Sequence, residues 1–110
     1  MLDLLPLLER LRSCAPEEGA ELFHGTLAEG IVAWAGAAAA REGLDTVALG
    51  GGCFVNRALA EGVAGGLRQA GLRVLLPTQA PAGDGGLSLG QAWIAAQVAA
   101  AGAGLPGQEQ

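Results

Sequence analysis

Positive charge is scarce in this chain of 110 residues, which has six arginines, no lysine and a formal net charge of −5. Proteins that bind nucleic acids or anionic membranes need clustered positive charge. We therefore expect neither a nucleic acid nor a membrane as a partner. The absence of lysine also excludes a phosphate loop of the Walker type, which requires a lysine after its last glycine.

Cysteines and long apolar segments are scarce as well. Cys14 and Cys53 form neither a closely spaced pair nor a disulfide-rich pattern, and no signal peptide precedes them, so we expect a cytoplasmic protein. The longest apolar stretch, residues 87–101, is interrupted by a serine and two glutamines and is shorter than the ~20 residues that a bilayer requires. We expect it to form a buried helix of a soluble protein.

Aromatic residues are few, with two phenylalanines, two tryptophans and no tyrosine, whereas 19 residues are glycine. A chain of this length forms one domain at most, here residues 1–110, with a modest core. Packing in that core must rely on the close approach of small side chains. The tail, residues 102–110, carries no organised pattern, and we expect it to be disordered.

Helical spacing of apolar residues predicts two helices, one after Asp3 as its cap and one from Pro16 to about Gly43. The apolar face of the first is formed by Leu4, Leu5, Leu8 and Leu11. The apolar face of the second is formed by Phe23, Leu27, Ile31, Trp34 and Ala38. His24 lies beside this second face with no other histidine or cysteine nearby, so we assign it a structural or surface role.

Residues 45–77 predict a parallel β-α-β unit, with strands around Val47 and Val74. The connecting helix runs from Asn56 to Ala70, and its buried face is formed by Leu59, Val63 and Leu67. Because strand, helix and strand follow one another within about 30 residues, the strands should be parallel with a right-handed crossover. Both strands are apolar with little alternation, which indicates helices on both faces of the sheet. The predicted fold class is therefore α/β.

Three consecutive glycines, Gly50 to Gly52, connect the first strand to the helix that starts at Asn56. Such a turn lets backbone N–H groups approach a ligand closely, and the helix N-terminus adds a partial positive charge. An anion, most often a phosphate, is the expected ligand. The pattern is not a dinucleotide fingerprint, because Val55 stands where a third glycine is required. The alternative is a tight turn that binds no ligand.

A second glycine-rich loop, residues 80–86, leads into the last helix and contains one ionisable residue, Asp84. One interpretation is that Asp84 only caps this helix. The other follows from topology, because loops that leave parallel strands emerge at the same sheet edge, where ligands bind in open α/β sheets. Gly50 to Gly52 and Asp84 would then face one crevice. The carboxylate would suit a divalent cation that bridges the protein and a phosphate.

Three segments carry a family resemblance when they are taken together. They read Phe-His-Gly-Thr-Leu-Ala at residues 23–28, Ala-Leu-Gly-Gly-Gly-Cys-Phe-Val-Asn-Arg at residues 48–57, and Asp-Gly-Gly-Leu-Ser-Leu-Gly-Gln-Ala at residues 84–92. In this order and spacing they resemble the C-terminal end of the HypF family, the carbamoyltransferases of nickel–iron hydrogenase maturation. The resemblance implies part of an actin-like (ASKHA) lobe, a fold that the family shares with enzymes that make threonylcarbamoyladenosine in tRNA.

The resemblance also implies a function and a site. HypF-type enzymes use carbamoyl phosphate and ATP to make carbamoyl adenylate, and then transfer the carbamoyl group to the C-terminal cysteine of the partner HypE. In that family, the motif carried here by Gly51, Gly52 and Asn56 lies against the nucleotide. Asp84 corresponds to a ligand of a divalent metal, which would be iron, zinc or magnesium.

Several features depart from the family pattern. The family usually has serine, glutamine and asparagine at the positions of Gly50, Val55 and Gly83, so three polar side chains near the ligand are lost. Nothing here corresponds to the first lobe of the transferase domain or to the paired histidines that complete the metal site. We therefore expect the isolated chain to be inactive and to need the N-terminal portion of the enzyme.

Two other functions compete with a carbamoyltransferase. The first is a catalytically inactive fragment or interaction module that retains only the fold. The second is the tRNA-modifying relative, which is disfavoured because that branch typically has Asp-Asn-Gly where this chain has Asp-Gly-Gly, and because the acidic charge offers tRNA little to bind.

Overall fold

The computed structural model describes residues 3–102, which measure 75 × 31 × 23 Å. In chain order, the elements are α1 (Leu5–Leu11), α2 (Pro16–Glu42), β1 (Thr46–Ala48), a 3-10 turn (Gly52–Val55), α3 (Arg57–Gln69), β2 (Arg73–Leu75), a second 3-10 turn (Asp84–Gly86) and α4 (Leu87–Gly102). Of the tail predicted to be disordered, Gly102 ends α4 and the rest lies outside the described residues. None of the helices within residues 3–102 is long and apolar enough to cross a membrane.

Helix α1 begins after Asp3, whose carboxylate accepts a hydrogen bond from the backbone N–H of Leu5 at 3.0 Å. Its buried residue is Leu7, whereas Leu5 and Leu8 are exposed. The predicted apolar face is therefore wrong in part. Leucines stand so densely in this segment that two overlapping stripes fit helical spacing, and contact with α2 selects the stripe that contains Leu7.

Helix α2 has the predicted bounds and ends at Gly43, which adopts the left-handed conformation with φ of +67°. Its contact with the core uses Leu27, Ile31 and the smaller residues of a neighbouring stripe, among them the buried Ala28. Trp34, in contrast, is 73% exposed and Phe23 is exposed as well, so their places in the predicted apolar face are wrong. The stripe of α2 that packs is instead formed by Ala28, Val32, Ala35 and Ala39, at intervals of three or four residues, and Trp34 lies outside it.

Strands β1 and β2 pair in parallel, with Val47 opposite Val74, which confirms the predicted β-α-β unit. The helix between them, α3, buries Leu59, Val63 and Leu67 as predicted. These three leucine and valine side chains form the core together with residues of α2 and with Leu49, which follows β1. The chain is thus a small α/β structure with its core between α2, α3 and the sheet.

The sheet is covered on one face, and the prediction of helices on both faces is wrong. Val47 and Val74 lie opposite each other and pack against the core. Ala48 and Leu75, the next pair in the register, are both exposed. The second face lacks a cover within the described residues because α4, which follows β2, does not pack on the sheet.

Close approach of small residues joins α2 to α3, as the glycine content predicts. A Cβ atom at Gly62 would lie 3.2 Å from the Cβ atom of Ala28. A Cβ atom at Gly66 would lie only 2.7 Å from Cγ2 of Val32. Both distances are shorter than the ~3.5–4.0 Å of an ordinary carbon contact. Glycine at these positions therefore sets how near the two helices come.

Helix α4 has no buried residue, so the prediction of a buried helix at residues 87–101 is wrong. Its principal contacts are with the 3-10 turn that precedes it. The exposed side chains include Trp93, Ile94 and Val98, each exposed by about two thirds (67%, 64% and 66%). The apolar composition of this segment correctly predicted a helix, but composition alone does not show whether other elements pack against that helix.

Candidate functional site

The loops that follow β1 and β2 meet at the carboxyl edge of the sheet. The backbone N–H of Leu49 donates to the carbonyl oxygen of Leu75 at 2.9 Å, which extends the strand pairing by one residue. Beyond it, the N–H of Gly51 donates to the carbonyl oxygen of Ala82 at 2.6 Å. This bond joins the glycine turn directly to the loop that carries Asp84, as the parallel topology predicts.

The backbone of this junction favours glycine at two points. Gly51 has φ of +102°, a conformation that residues with a side chain rarely adopt. Gly83 lies against the turn, and a Cβ atom there would be 3.3 Å from the Cα atom of Gly52. The absence of a side chain at Gly83 thus lets the two loops approach closely.

The amide groups of the glycine turn are only partly available to a ligand. The N–H of Gly51 is occupied by Ala82. The N–H groups of Gly52 and Cys53 open the first 3-10 turn and donate no backbone hydrogen bond within residues 3–102. A Cβ atom at Gly52 would meet no atom within 4 Å, so the space in the side-chain direction of this residue is open. An anion would therefore be bound by these two amides rather than by all three glycines.

A cleft of about 450 Å³ opens between the two loops and the first turns of α4. Gly51 and Asp84 both line it, as do Gln91 and Ile94 of α4. The predicted site residues Gly52 and Asn56 are outside this lining. The structure thus brings two of the four predicted site residues to one cleft, with the other two on the neighbouring turn.

Asp84 is the first residue of the second 3-10 turn, and its carboxylate is exposed. None of the side-chain hydrogen bonds within the described part of the chain involves this carboxylate. The interpretation of Asp84 as a helix cap therefore has no hydrogen bond to support it. The two glycines that follow are held against Pro81, because a Cβ atom at Gly86 would lie 2.5 Å from its carbonyl oxygen. The turn fixes the backbone of Asp84 and leaves its oxygens free.

A complete metal site is not formed by the residues that the structure describes. Within residues 3–102, no group of three or more histidine, cysteine, aspartate or glutamate side chains could hold a metal ion. The free carboxylate of Asp84 fits the role of one oxygen ligand to a hard cation. The remaining ligands of such a cation would have to come from elsewhere.

Asn56 is the N-cap of α3 and also makes a contact that sequence analysis missed. Its Oδ1 atom accepts a hydrogen bond from the N–H of Leu59 at 3.2 Å. Its Nδ2 atom lies 2.9 Å from Nε2 of His24, on α2. His24 is 32 residues away in the chain, so no local pattern could reveal this pair. His24 therefore has a structural role, as predicted, and the residue that it contacts is the predicted site residue Asn56.

Arg57 is the cation nearest in sequence to the glycine turn, and sequence analysis did not single it out. It forms an ion pair with Glu61, one turn further along α3, with Nε and Oε1 2.7 Å apart. The hydrogen bond and the negative charge of Glu61 raise the pKa of Arg57 above its usual value. Arg57 thus lies at the N-terminal end of α3, where an anion is favoured, with its charge partly offset by Glu61.

Comparison with known proteins identifies the family to which this chain belongs. The family model described as "Carbamoyltransferase, Kae1-like Domain, second subdomain" matches residues 2–91. The chain belongs to the HypF carbamoyltransferase family. The resemblance found in the three sequence segments is thereby confirmed.

The curated relatives are much longer than this chain. It is 52% identical over 104 residues to the Carbamoyltransferase HypF homolog of Cupriavidus necator. The aligned region covers 88% of this chain and 26% of that protein. It is 50% identical over 95 residues to the Carbamoyltransferase HypF of Rhizobium leguminosarum bv. viciae, and this aligned region covers 86% of this chain and 12% of that protein. A third relative, the Carbamoyltransferase HypF2 of Cupriavidus necator, is 46% identical over 97 residues, with 87% of this chain and 12% of that protein covered. The chain therefore spans about a quarter of the first relative's length and a smaller share of the others.

Proposed function

We propose that this chain is the C-terminal nucleotide-binding part of a HypF-type carbamoyltransferase and contributes to an actin-like lobe. The whole enzyme uses carbamoyl phosphate and ATP to form carbamoyl adenylate, and the thiol of the C-terminal cysteine of a HypE-type protein then displaces AMP. In this proposal the glycine turn binds phosphate oxygens of the nucleotide, and Gly51, Gly52 and Asn56 shape the turn. Family membership and the meeting of the two loops support it.

The observation that carries the proposal is the hydrogen bond from Gly51 to Ala82. Because of it, the N–H groups of Gly52 and Cys53 and the carboxylate of Asp84 belong to one junction rather than to two separate loops. Backbone donors on one side and a free carboxylate on the other are the groups that a nucleotide phosphate and its divalent cation need. Arg57 adds positive charge on the side of the turn where α3 begins.

Asp84 would supply one oxygen ligand to iron, zinc or magnesium, and the cation would neutralise phosphate charge. The contribution of this chain to metal binding is to hold Asp84 in position. The second 3-10 turn holds Asp84 at the mouth of the cleft, and the packing of Gly86 on Pro81 fixes that turn. The other metal ligands, and the groups that hold carbamoyl phosphate, belong to the first lobe of the enzyme in this proposal.

A chimera tests the proposal with this chain's own residues. Residues 2–91 would replace the aligned segment of the HypF protein of Rhizobium leguminosarum, and bound metal and carbamoyl transfer to HypE would be measured. We expect the chimera to be active and Asp84→Asn to lose both metal and transfer with the fold intact. Glu29→Gln is the matched control, because it also removes an exposed carboxylate but lies on α2 in a different groove. Equal activity of Asp84→Asn and Glu29→Gln would refute the role of Asp84.

A second candidate is an interaction module that retains the fold without binding a nucleotide. It is favoured by the occupation of the Gly51 amide by Ala82, which removes one donor from the turn. A chimera that folds and binds HypE but shows no carbamoyl-phosphate-dependent cleavage of ATP would support this candidate over the enzyme.

A further inference from the structure

A chain of three hydrogen bonds connects α2 to the N-terminus of α3. Nδ1 of His24 lies 2.8 Å from the carbonyl oxygen of Ala20, one turn earlier on α2. Nε2 of His24 lies 2.9 Å from Nδ2 of Asn56. Oδ1 of Asn56 accepts from the N–H of Leu59 at 3.2 Å. The two ends of this chain are backbone groups, and its two middle members are side chains.

The backbone groups at the ends determine every proton in between. A carbonyl oxygen can only accept, so Nδ1 of His24 carries the proton and donates to Ala20. Nε2 is then the acceptor of the neutral ring. At the other end, the N–H of Leu59 can only donate, so the amide oxygen of Asn56 faces it and the amide nitrogen faces His24. The two assignments agree at the bond between His24 and Asn56.

A flipped amide would place two donors together at Leu59 and two acceptors together at His24. Asn56 alone could still cap α3 through Oδ1, but nothing local would hold its amide plane in one orientation. The ring of His24 is itself held, because it is half-buried and packs edge-on against Phe23 with the ring centres 5.6 Å apart. The amide of Asn56 is therefore tied to a fixed partner on another helix.

We infer that His24 is a positioning residue, which fixes the amide of Asn56 and thereby the start of α3 beside the glycine turn. Its effect on ligand binding rests on the proposed nucleotide site. Its effect on Asn56 does not, because it follows from the hydrogen bonds alone. Asn56 ends the 3-10 turn that presents the N–H groups of Gly52 and Cys53, so a displaced Asn56 shifts the donors that the nucleotide would meet.

Two substitutions of His24 separate its two nitrogens. Glutamine places a polar group near the position of Nε2, so His24→Gln keeps an acceptor for Asn56. Asparagine is shorter and reaches only the position of Nδ1, so His24→Asn keeps a partner for Ala20 and loses the one for Asn56. A residue that merely packs would respond to both changes alike. A positioning residue is rescued by glutamine and not by asparagine.

Nuclear magnetic resonance on the full 110-residue chain tests the part that is independent of function. We expect long-range nitrogen–proton correlations of the unmodified chain to show the neutral His24 ring protonated at Nδ1. We also expect the side-chain NH2 signals of Asn56 to be distinct from those of exposed amides, to persist in His24→Gln and to collapse to solvent-exposed values in His24→Asn. A ring protonated at Nε2, or NH2 signals that are unchanged in His24→Asn, would overturn the inference.

Titration of the same samples with ATP and magnesium tests the functional part, followed at the amide signals of Gly52 and Cys53. The dissociation constant should rise about three- to tenfold in His24→Asn, the effect expected for loss of one neutral hydrogen bond, and should return toward the original value in His24→Gln. If Asn56→Ser weakens ATP binding and His24→Asn does not, the inference is overturned. If the unmodified chain shows no shift with ATP, the affinity for ATP of the chimera that carries residues 2–91, with and without His24→Asn, decides the functional part, and the NH2 signals of Asn56 decide the positioning role in either case.

Discussion

Replacement of Gly66 by alanine should destabilise the chain, although alanine favours a helix more than glycine does. In the interior of a helix, the change from glycine to alanine is worth about 0.8–1 kcal/mol in the favourable direction. At Gly66, however, the added Cβ atom would lie 2.7 Å from Cγ2 and 3.3 Å from Cγ1 of Val32. The first distance is roughly 0.8 Å inside the shortest comfortable carbon contact.

Val32 cannot easily move out of the way. Valine is branched at Cβ, and inside a helix it has one strongly preferred rotamer, so rotation about χ1 exchanges one clash for another cost. The alternative is a shift of α3 away from α2, which would loosen the packing around Ala28. Overpacking of this kind costs about 1–3 kcal/mol. After the gain in helix propensity is subtracted, Gly66→Ala should lower the free energy of unfolding by up to about 2 kcal/mol.

Gly65 provides the matched control. It is the neighbouring residue of α3, and a Cβ atom there would meet no atom within 4 Å. Gly65→Ala should therefore raise the free energy of unfolding by about 1 kcal/mol. The free energies of unfolding of the two variants should differ by roughly 1–3 kcal/mol. For a domain near 100 residues, each kcal/mol shifts Tm by about 4–8 °C. Urea and thermal unfolding followed by circular dichroism would measure the difference. If Gly66→Ala proved as stable as Gly65→Ala, the close approach of α2 and α3 would be refuted.

Three further predictions follow from burial, capping and the division of the site. Leu67→Ala should cost about 2–5 kcal/mol in unfolding experiments, because Leu67 is fully buried, whereas Leu75→Ala, at an exposed position, should cost much less; similar losses would contradict the placement of the core. Asn56→Ala should lower the free energy of unfolding by about 1 kcal/mol, and Asn56→Ser by much less because serine also caps helices, so equal losses would show that the cap is not the source of the effect. The purified chain alone should show no carbamoyl-phosphate-dependent cleavage of ATP, since catalysis needs groups from both lobes positioned together; release of AMP and pyrophosphate above the blank would disprove this.

The sequence predicted those parts of the fold that depend on local periodicity or on topology. Leu59, Val63 and Leu67 are separated by polar or small residues at a strict helical interval, so only one face of α3 could be buried. The meeting of Gly51 with the loop of Asp84 followed from the parallel order of the strands, because both loops must leave the same edge of the sheet.

The parts that could not be predicted depend on partners distant in sequence. In α2, alanines occur on every side, so periodicity could not show whether Trp34 or a stripe of small residues meets α3. The segment of α4 is apolar throughout, and its composition predicts a helix equally well with or without a cover. The bond between His24 and Asn56 joins residues on two helices and leaves no trace in local spacing. The occupation of the Gly51 amide by Ala82 is likewise a detail of loop geometry that residue types do not encode.

The exposure of α4 gives the candidate cleft two walls of unequal stability. One wall, at Gly51 and Ala82, is joined by a backbone hydrogen bond close to the end of the paired strands. The other, at Gln91 and Ile94, lies on a helix of 16 residues with no buried side chain. Most of the stability of a protein helix comes from tertiary packing, which α4 lacks among the described residues. Helix α4 can therefore fray or open locally while the core stays intact, and its amide hydrogens should exchange sooner than those of α3. A ligand that binds against α4 must consequently supply the free energy that orders one wall of its own cleft.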